Sequence, residues 1–306
     1  MTRWIVSAAL MGALLRLLAD PSPARLRIPL WADGVQQAEP LSLKVHVNGQ
    51  EARLVHLLGP EDDLMVLLIL DLVGDLNEIT LAKEALIEQF QQLPDNVYVG
   101  LLRAQDGMQV VLDPTRDRKG LIEAIQAYRI RGAPALLETI DTATQLADHI
   151  LTKAPVRIAL FYITDSNVYG YREDLTNPVI NWSDQRDLSR RFNEGFIRER
   201  IARLHQKLST RQVPVFIVHL EYQTDRLNEA YQNGLMQLAS ATGGRALFCR
   251  SNTDIATAIQ ETFGRIRSMY VAEIELASLP QGLIELDIKS PSGSLQYRDK
   301  LLAIKR

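Results

Sequence analysis

The chain has 306 residues, 46% hydrophobic and 23% charged, with a formal net charge of -3 from 34 basic and 37 acidic side chains. This length and composition support a sizeable buried core and exclude wholesale disorder. There is no concentrated basic tract and no interleaving of aromatic with basic residues, so a nucleic-acid partner is excluded.

At the N-terminus, Arg3 precedes an apolar stretch from Trp4 to Leu18, and Ser22-Pro-Ala24 supplies small residues after it. Residues 1–24 thus have the layout of a secretory signal or short membrane anchor. Arg16 interrupts the stretch, so a clean span of about 20 apolar residues is not present. The plainer alternative is an amphipathic helix on a cytoplasmic protein. The leader places the protein outside the cytoplasm (secreted, periplasmic or at the cell envelope), with membrane attachment as the variant in which the segment is retained.

Residues 25–60 read as an N-terminal β segment. Leu41 to Val47 alternates apolar with polar side chains, Asn48-Gly49 is a turn, and Ala52 to Leu58 is the returning strand. The main domain, 61–269, opens on the continuously apolar run Met65 to Leu70, as expected of a central strand covered on both faces. A helix carries Ile79, Ala82, Leu86, Phe90 and Leu93 on one stripe. Val97 to Leu102 and Met108 to Leu112 then form a hairpin around Asp106-Gly107, which gives the sheet one antiparallel strand.

Further along, Leu136, Ile140, Ala143, Ala147 and Ile150 mark a helix, and Val156 to Ile163 a buried strand. Ile197, Ile201, Leu204 and Leu208 line the next helix, followed by a strand from Val213 to Leu220. A helix with Leu227, Tyr231, Leu235 and Leu238 ends at Gly243-Gly244. After a short strand from Ala246 to Cys249, Thr253 is placed to cap a closing helix bearing Ile255, Ile259, Phe263 and Ile266. Residues 270–306 return to strand period, with Ile284, Leu286 and Ile288 alternating with charged residues.

This order predicts a three-layer α/β sandwich. Its centre is a six-stranded, mostly parallel sheet with one antiparallel edge strand. Small β additions lie at both ends, each too short for a core of its own, with the N-terminal hairpin joining the C-terminal strands as the variant.

In open α/β sheets, ligands sit outside the carboxyl ends of the strands. There the first central strand ends in Asp71-Leu-Val-Gly-Asp75 and a later one in Asp165. Asp71, Asp75 and Asp165 are oxygen donors of the kind that hold Mg²⁺ or Ca²⁺. The competing reading is that they are strand-end aspartates accepting backbone hydrogen bonds or capping helices. No glycine-rich loop for a nucleotide is present, because only Gly74 follows the first strand. The five histidines show no metal-ligand spacing. Ser166 lacks a nucleophile-elbow setting, and Cys249, the sole cysteine, sits in an apolar run and reads as a core thiol. No catalytic group is assigned and no cofactor is required.

The segment from Ser166 to Asp187 is long for a strand-to-helix connection. Tyr169, Tyr171 and Trp182 lie in it among polar groups, the composition of a protein-contact loop. The alternative is an Ω-like loop packed on its own side chains.

With these elements in place, the chain resembles the von Willebrand factor A superfamily, and more specifically its VWFA-related proteins frequent among Acidobacteria. The similarity rests on Met65-Val-Leu-Leu-Ile-Leu-Asp71, Arg131-Gly-Ala-Pro-Ala-Leu136, Phe161-Tyr-Ile-Thr-Asp165, Ala241-Thr-Gly-Gly-Arg-Ala-Leu-Phe248 and Ile266-Arg-Ser-Met-Tyr270. It covers roughly Leu41 to Lys305.

The resemblance implies a metal-ion-dependent adhesion site, built from Asp-x-Ser-x-Ser, a threonine and a later aspartate. Here Val73 and Asp75 stand at the serine positions, Pro134 at the threonine position, and Ser166 where a glycine is common. Val73 offers no oxygen, while Pro134 offers neither a side-chain oxygen nor an N–H. The site is expected to be degenerate. The resemblance further implies a non-enzymatic protein-binding or scaffold module with an unidentified protein partner; the departures above and the leader add the expectation of metal-independent contacts outside the cytoplasm. Metal-dependent adhesion through altered carboxylates, and a hydrolase of unknown substrate, are the alternatives.

Overall fold

The computed structural model describes residues 24–33, 42–171, 194–291 and 293–303. Two sheets organise it. The first contains β4 (Leu64–Asp71), β5 (Val97–Ala104), β6 (Met108–Thr115), β7 (Arg157–Thr164), β8 (Val215–His219) and β9 (Ala246–Phe248), in the order β6-β5-β4-β7-β8-β9. Parallel pairing joins β4 to β5 and β7, β7 to β8, and β8 to β9, while β5 and β6 pair antiparallel. The sheet is mixed, with its antiparallel member on the outer edge.

Strand period explains why helices cover both faces. Val66, Leu68 and Leu70 of β4 point into one core with Ala159, Phe161 and Ile163 of β7. Leu67 and Ile69 point into the other with Ile158, Leu160 and Tyr162. Helices α1 (Leu76–Gln92), α2 (Arg118–Ala127) and α6 (Asp254–Arg267) supply the first core. Helices α3 (Leu136–Leu151), α4 (Glu194–Leu208) and α5 (Arg226–Ala241) supply the second. The three layers follow from that alternation.

Helix α2 has no counterpart in the sequence reading. It buries only Leu121 and Ile125, too little apolar stripe to register as a period. At α6 the cap differs from expectation. Thr253 makes no side-chain cap bond. Asp254 accepts the Arg250 and Ser251 N–H groups instead, at 2.9 and 3.0 Å.

In the second sheet the two flanks are joined, as in the variant reading, and the sheet is larger than the small additions expected at the ends. Strands β1 (Ala24–Asp33), β2 (Lys44–Val47), β3 (Gln50–Leu58), β10 (Tyr270–Leu276), β11 (Gly282–Lys289), β12 (Ser294–Tyr297) and β13 (Lys300–Ala303) form one seven-stranded sheet, ordered β12-β1-β10-β3-β2-β11-β13. Its pairings are antiparallel. Neither flank has a core alone, but together they bury Leu26, Ile28, Leu30, Ile274, Ile284, Leu286 and Ile288 in a cluster of their own. Asn48 and Gly49 turn the β2–β3 hairpin at φ 50° and 78°, a left-handed pair that asparagine and glycine tolerate best.

Candidate functional site

The carboxyl ends of β4, β5 and β7 converge on Asp71. Its side chain is fully buried, and both of its oxygens are taken by protein donors. The Ala135 N–H donates to Oδ1 at 2.9 Å and the Thr164 hydroxyl to Oδ2 at 3.0 Å. Burial pushes the carboxyl up to about 7; the two donors oppose this rise and the nearby Asp165 charge adds to it. Pro134 occupies the neighbouring position without a donor, and the residue after it supplies the N–H.

Asp165 is also buried. Its Oδ1 accepts the Val73 N–H at 2.7 Å and its Oδ2 the Gly74 N–H at 2.8 Å. Burial raises its pKa, these two bonds pull it down, and Glu221 adds to the rise. The loop after β4 is thereby wrapped onto Asp165 through its main chain, where Val73 needs no side-chain oxygen. A Cβ on Gly74 would come within 3.1 Å of Asp165 Oδ2, so a small residue suits this close approach. Asp75 turns away from the pair to cap α1, accepting the Asn77 N–H at 2.6 Å.

Beneath Asp71 runs a buried hydroxyl relay that sequence reasoning missed. Thr164 bonds to Ser166 Oγ at 2.6 Å, Ser166 Oγ to the Tyr231 hydroxyl at 2.8 Å, and Tyr231 to the Tyr171 hydroxyl at 2.7 Å. Tyr231 was visible only as one apolar position on a helical stripe. His219 Nδ1 accepts the Glu221 N–H at 3.3 Å, which leaves Nε2–H to donate to the Ser166 carbonyl at 2.7 Å. Burial holds this imidazole down at about 4, and hence neutral. Gln105 ties the loops together, donating to the Leu72 carbonyl and accepting the Arg131 N–H at 3.1 Å. The strand-end position of Gln105 was its only sequence signal.

The three aromatic contact candidates separate. Tyr171 is 9% exposed and edge-packed on Tyr231. It is a core residue, because its hydroxyl completes the relay, and this removes it from a contact surface. Tyr169 is 51% exposed and donates to Asp225 at 3.0 Å. Trp182 lies outside the described residues. Leu76, in the first turn of α1 beside Asp75, is 71% exposed, a large apolar side chain at the rim that the sequence reading passed over. Glu78 nearby is pushed up to about 7 by partial burial and by the charges of Glu221, Asp165 and Asp75.

Asp71 and Asp165 each accept two N–H or O–H donors, and Asp75 caps its own helix, so a cation here would share oxygens that are already hydrogen-bonded. Among the described residues, no group of three or more His, Cys, Asp or Glu side chains is placed to hold a metal ion. No helix among them is long and apolar enough to cross a membrane.

Residues 71–167 match the family model of the von Willebrand factor type A domain. No curated protein matches the chain. Among solved structures, it is similar to a von Willebrand factor type A protein from Catenulispora acidiphila, at 12% identity and a TM-score of 0.47, over 88% of this chain and 74% of that one. It is similar to an aerotolerance-related membrane protein from Bacteroides fragilis, at 14% identity and a TM-score of 0.43, over 66% of this chain and 99% of that one. The PilB minor pilin from Streptococcus sanguinis aligns at 13% identity and a TM-score of 0.45, over 67% of this chain and 60% of that one. The family match begins on Asp71 itself and ends two residues past Asp165, so it is this segment that is similar to the von Willebrand factor type A domain.

Proposed function

We propose that the chain is a non-enzymatic, extracytoplasmic module for protein binding or scaffolding, and that its contacts need no bridging metal. Domains of this type are often used for protein–protein or adhesion contacts. The observation that carries the metal-independent reading is the engagement of Asp71 and Asp165 by Ala135, Thr164, Val73 and Gly74. A cation there would have to share oxygens that already accept these donors, and it would compete with the protein for the remaining lone pairs. The contact face is then the rim itself, where Leu76 and Tyr169 stand exposed among acidic side chains. The segment continuing to Trp182 is part of the same proposal. Export rests on the apolar stretch Trp4 to Leu18 and the small residues after it.

The non-enzymatic reading is supported by the condition of the two most reactive side chains nearby. Cys249 is buried, its thiol pushed up to about 12. His219 is neutral, with both ring nitrogens bonded. Cation-bridged adhesion has one observation in its favour, the approach of Glu78 and Glu221 to Asp165, which concentrates negative charge at the rim.

Capture from the native envelope fraction, run in parallel in EDTA and in millimolar Mg²⁺, separates the two readings. The proposal predicts the same partner in both buffers, lost on Leu76→Asp with Tyr169→Ala. Capture only in Mg²⁺ would establish the cation-bridged version.

A further inference from the structure

Arg157, the first residue of β7, is buried and spends its guanidinium on four main-chain carbonyls. Nη1 donates to Arg267 and Met269, both at 2.9 Å, and Nη2 to Pro60 at 2.8 Å and Asp62 at 2.7 Å. Pro60 and Asp62 lie on the link from β3 to β4; Arg267 and Met269 lie where α6 runs into β10. In the described chain these are the two places where the backbone passes between the sheets. One side chain grips both crossings. Burial draws Arg157 down to about 10, opposed by the charges of Asp62, Glu61 and Asp63.

A second guanidinium works in the opposite direction. Arg298, between β12 and β13, reaches out of the seven-stranded sheet to the carbonyls of Ser209 at 3.0 Å, Arg211 at 3.3 Å and Ala241. These carbonyls stand at or just past the carboxyl ends of α4 and α5, where main-chain carbonyls lack N–H donors from their own helix and attract a cation. Trp31 of β1 adds an apolar peg. Its indole N–H donates to the Arg265 carbonyl at 2.7 Å, and its ring meets Phe216 edge-on with centroids 6.0 Å apart.

We propose that Arg157 and Arg298 are latches that lock the seven-stranded sheet and the six-stranded sheet into one cooperative body. The flanking strands are then an integral part of the module. A planar fork with five donors suits this task, because one arginine can serve carbonyls from several chain segments at once. The inference is independent of what the strand-end face binds.

Hydrogen exchange of the full chain in rising urea, followed in peptides from β10 and β7, tests it. In the parent, the slowest amides of both strands should converge on one opening equilibrium. In Arg157→Ala with Arg298→Ala, β10 should open at least about 100-fold more readily than β7, a lower bound set by two charge-assisted bonds out of the seven removed. Asn96 also donates to Pro60 and Asp62, at 3.0 and 2.9 Å, so the loss falls on Arg267 and Met269. Should the double variant fail to fold, Arg157→Lys and Arg298→Lys are measured singly, each with about tenfold separation expected. Strands that stay in step in the variants, or that already part company in the parent, overturn the proposal.

Discussion

Replacing Asp71 with asparagine keeps the shape of the side chain and removes its charge. The amide oxygen can still accept from Ala135, and the amide nitrogen can donate to Thr164 once that hydroxyl rotates. The folded chain holds the Asp71 proton up to about pH 7, against an ordinary value of 3.8. Between those values the folded state binds the extra proton, so the contribution is present in full below 3.8 and is lost as pH rises through about 7. At 1.36 kcal/mol per pKa unit, the whole shift amounts to roughly 4 kcal/mol, of which about 3 falls between pH 5 and pH 8. Urea denaturation of parent and variant at those two pH values measures it. The parent should lose about 3 kcal/mol more than Asp71→Asn on going from pH 5 to pH 8. Glu78 shifts in the same direction but is common to both proteins and cancels. Parallel pH dependence in the two proteins would refute the claim that Asp71 is a buried, metal-free carboxyl.

Three further outcomes follow from single contacts. Asp165→Ala removes the acceptor of the Val73 and Gly74 amides; those two should lose exchange protection first, with about 2–4 kcal/mol of stability. Gly234→Val places a Cβ 2.5 Å from Ile201 Cγ1, between α5 and α4, and should cost about 1–3 kcal/mol in chemical denaturation. Gly264→Ala, within α6, meets nothing within 4 Å. It should raise stability by about 0.5–1 kcal/mol in the same assay.

The central sheet was legible because its strands carry uninterrupted apolar runs. Val66 and Leu67 must both be apolar when helices cover both faces, and that leaves a signal no surface strand imitates. The flanking sheet was harder to read. Leu26, Ile28 and Leu30 alternate as a strand should, yet their partners lie near Ile274, about the whole domain away in sequence. This strand was not singled out in the sequence, because a short alternation without a nearby partner gives little signal. At the site, Asp71, Asp75 and Asp165 were found by their strand-end positions. That the first and last serve neighbouring N–H and O–H groups depends on loops that fold back, and no spacing encodes it. Tyr171 shows the same limit. In a polar loop a tyrosine reads as a contact residue, whereas the hydroxyl partner that draws it inward, Tyr231, is sixty positions along the chain.

Isothermal titration of Mg²⁺, Mn²⁺ and Ca²⁺ into the full chain tests the central claim most directly. The arrangement of Asp71 and Asp165 predicts no saturable heat with any of the three. Saturable one-to-one binding that disappears in both Asp71→Ala and Asp165→Ala would contradict it, and would return the strand-end carboxylates to the role of metal ligands.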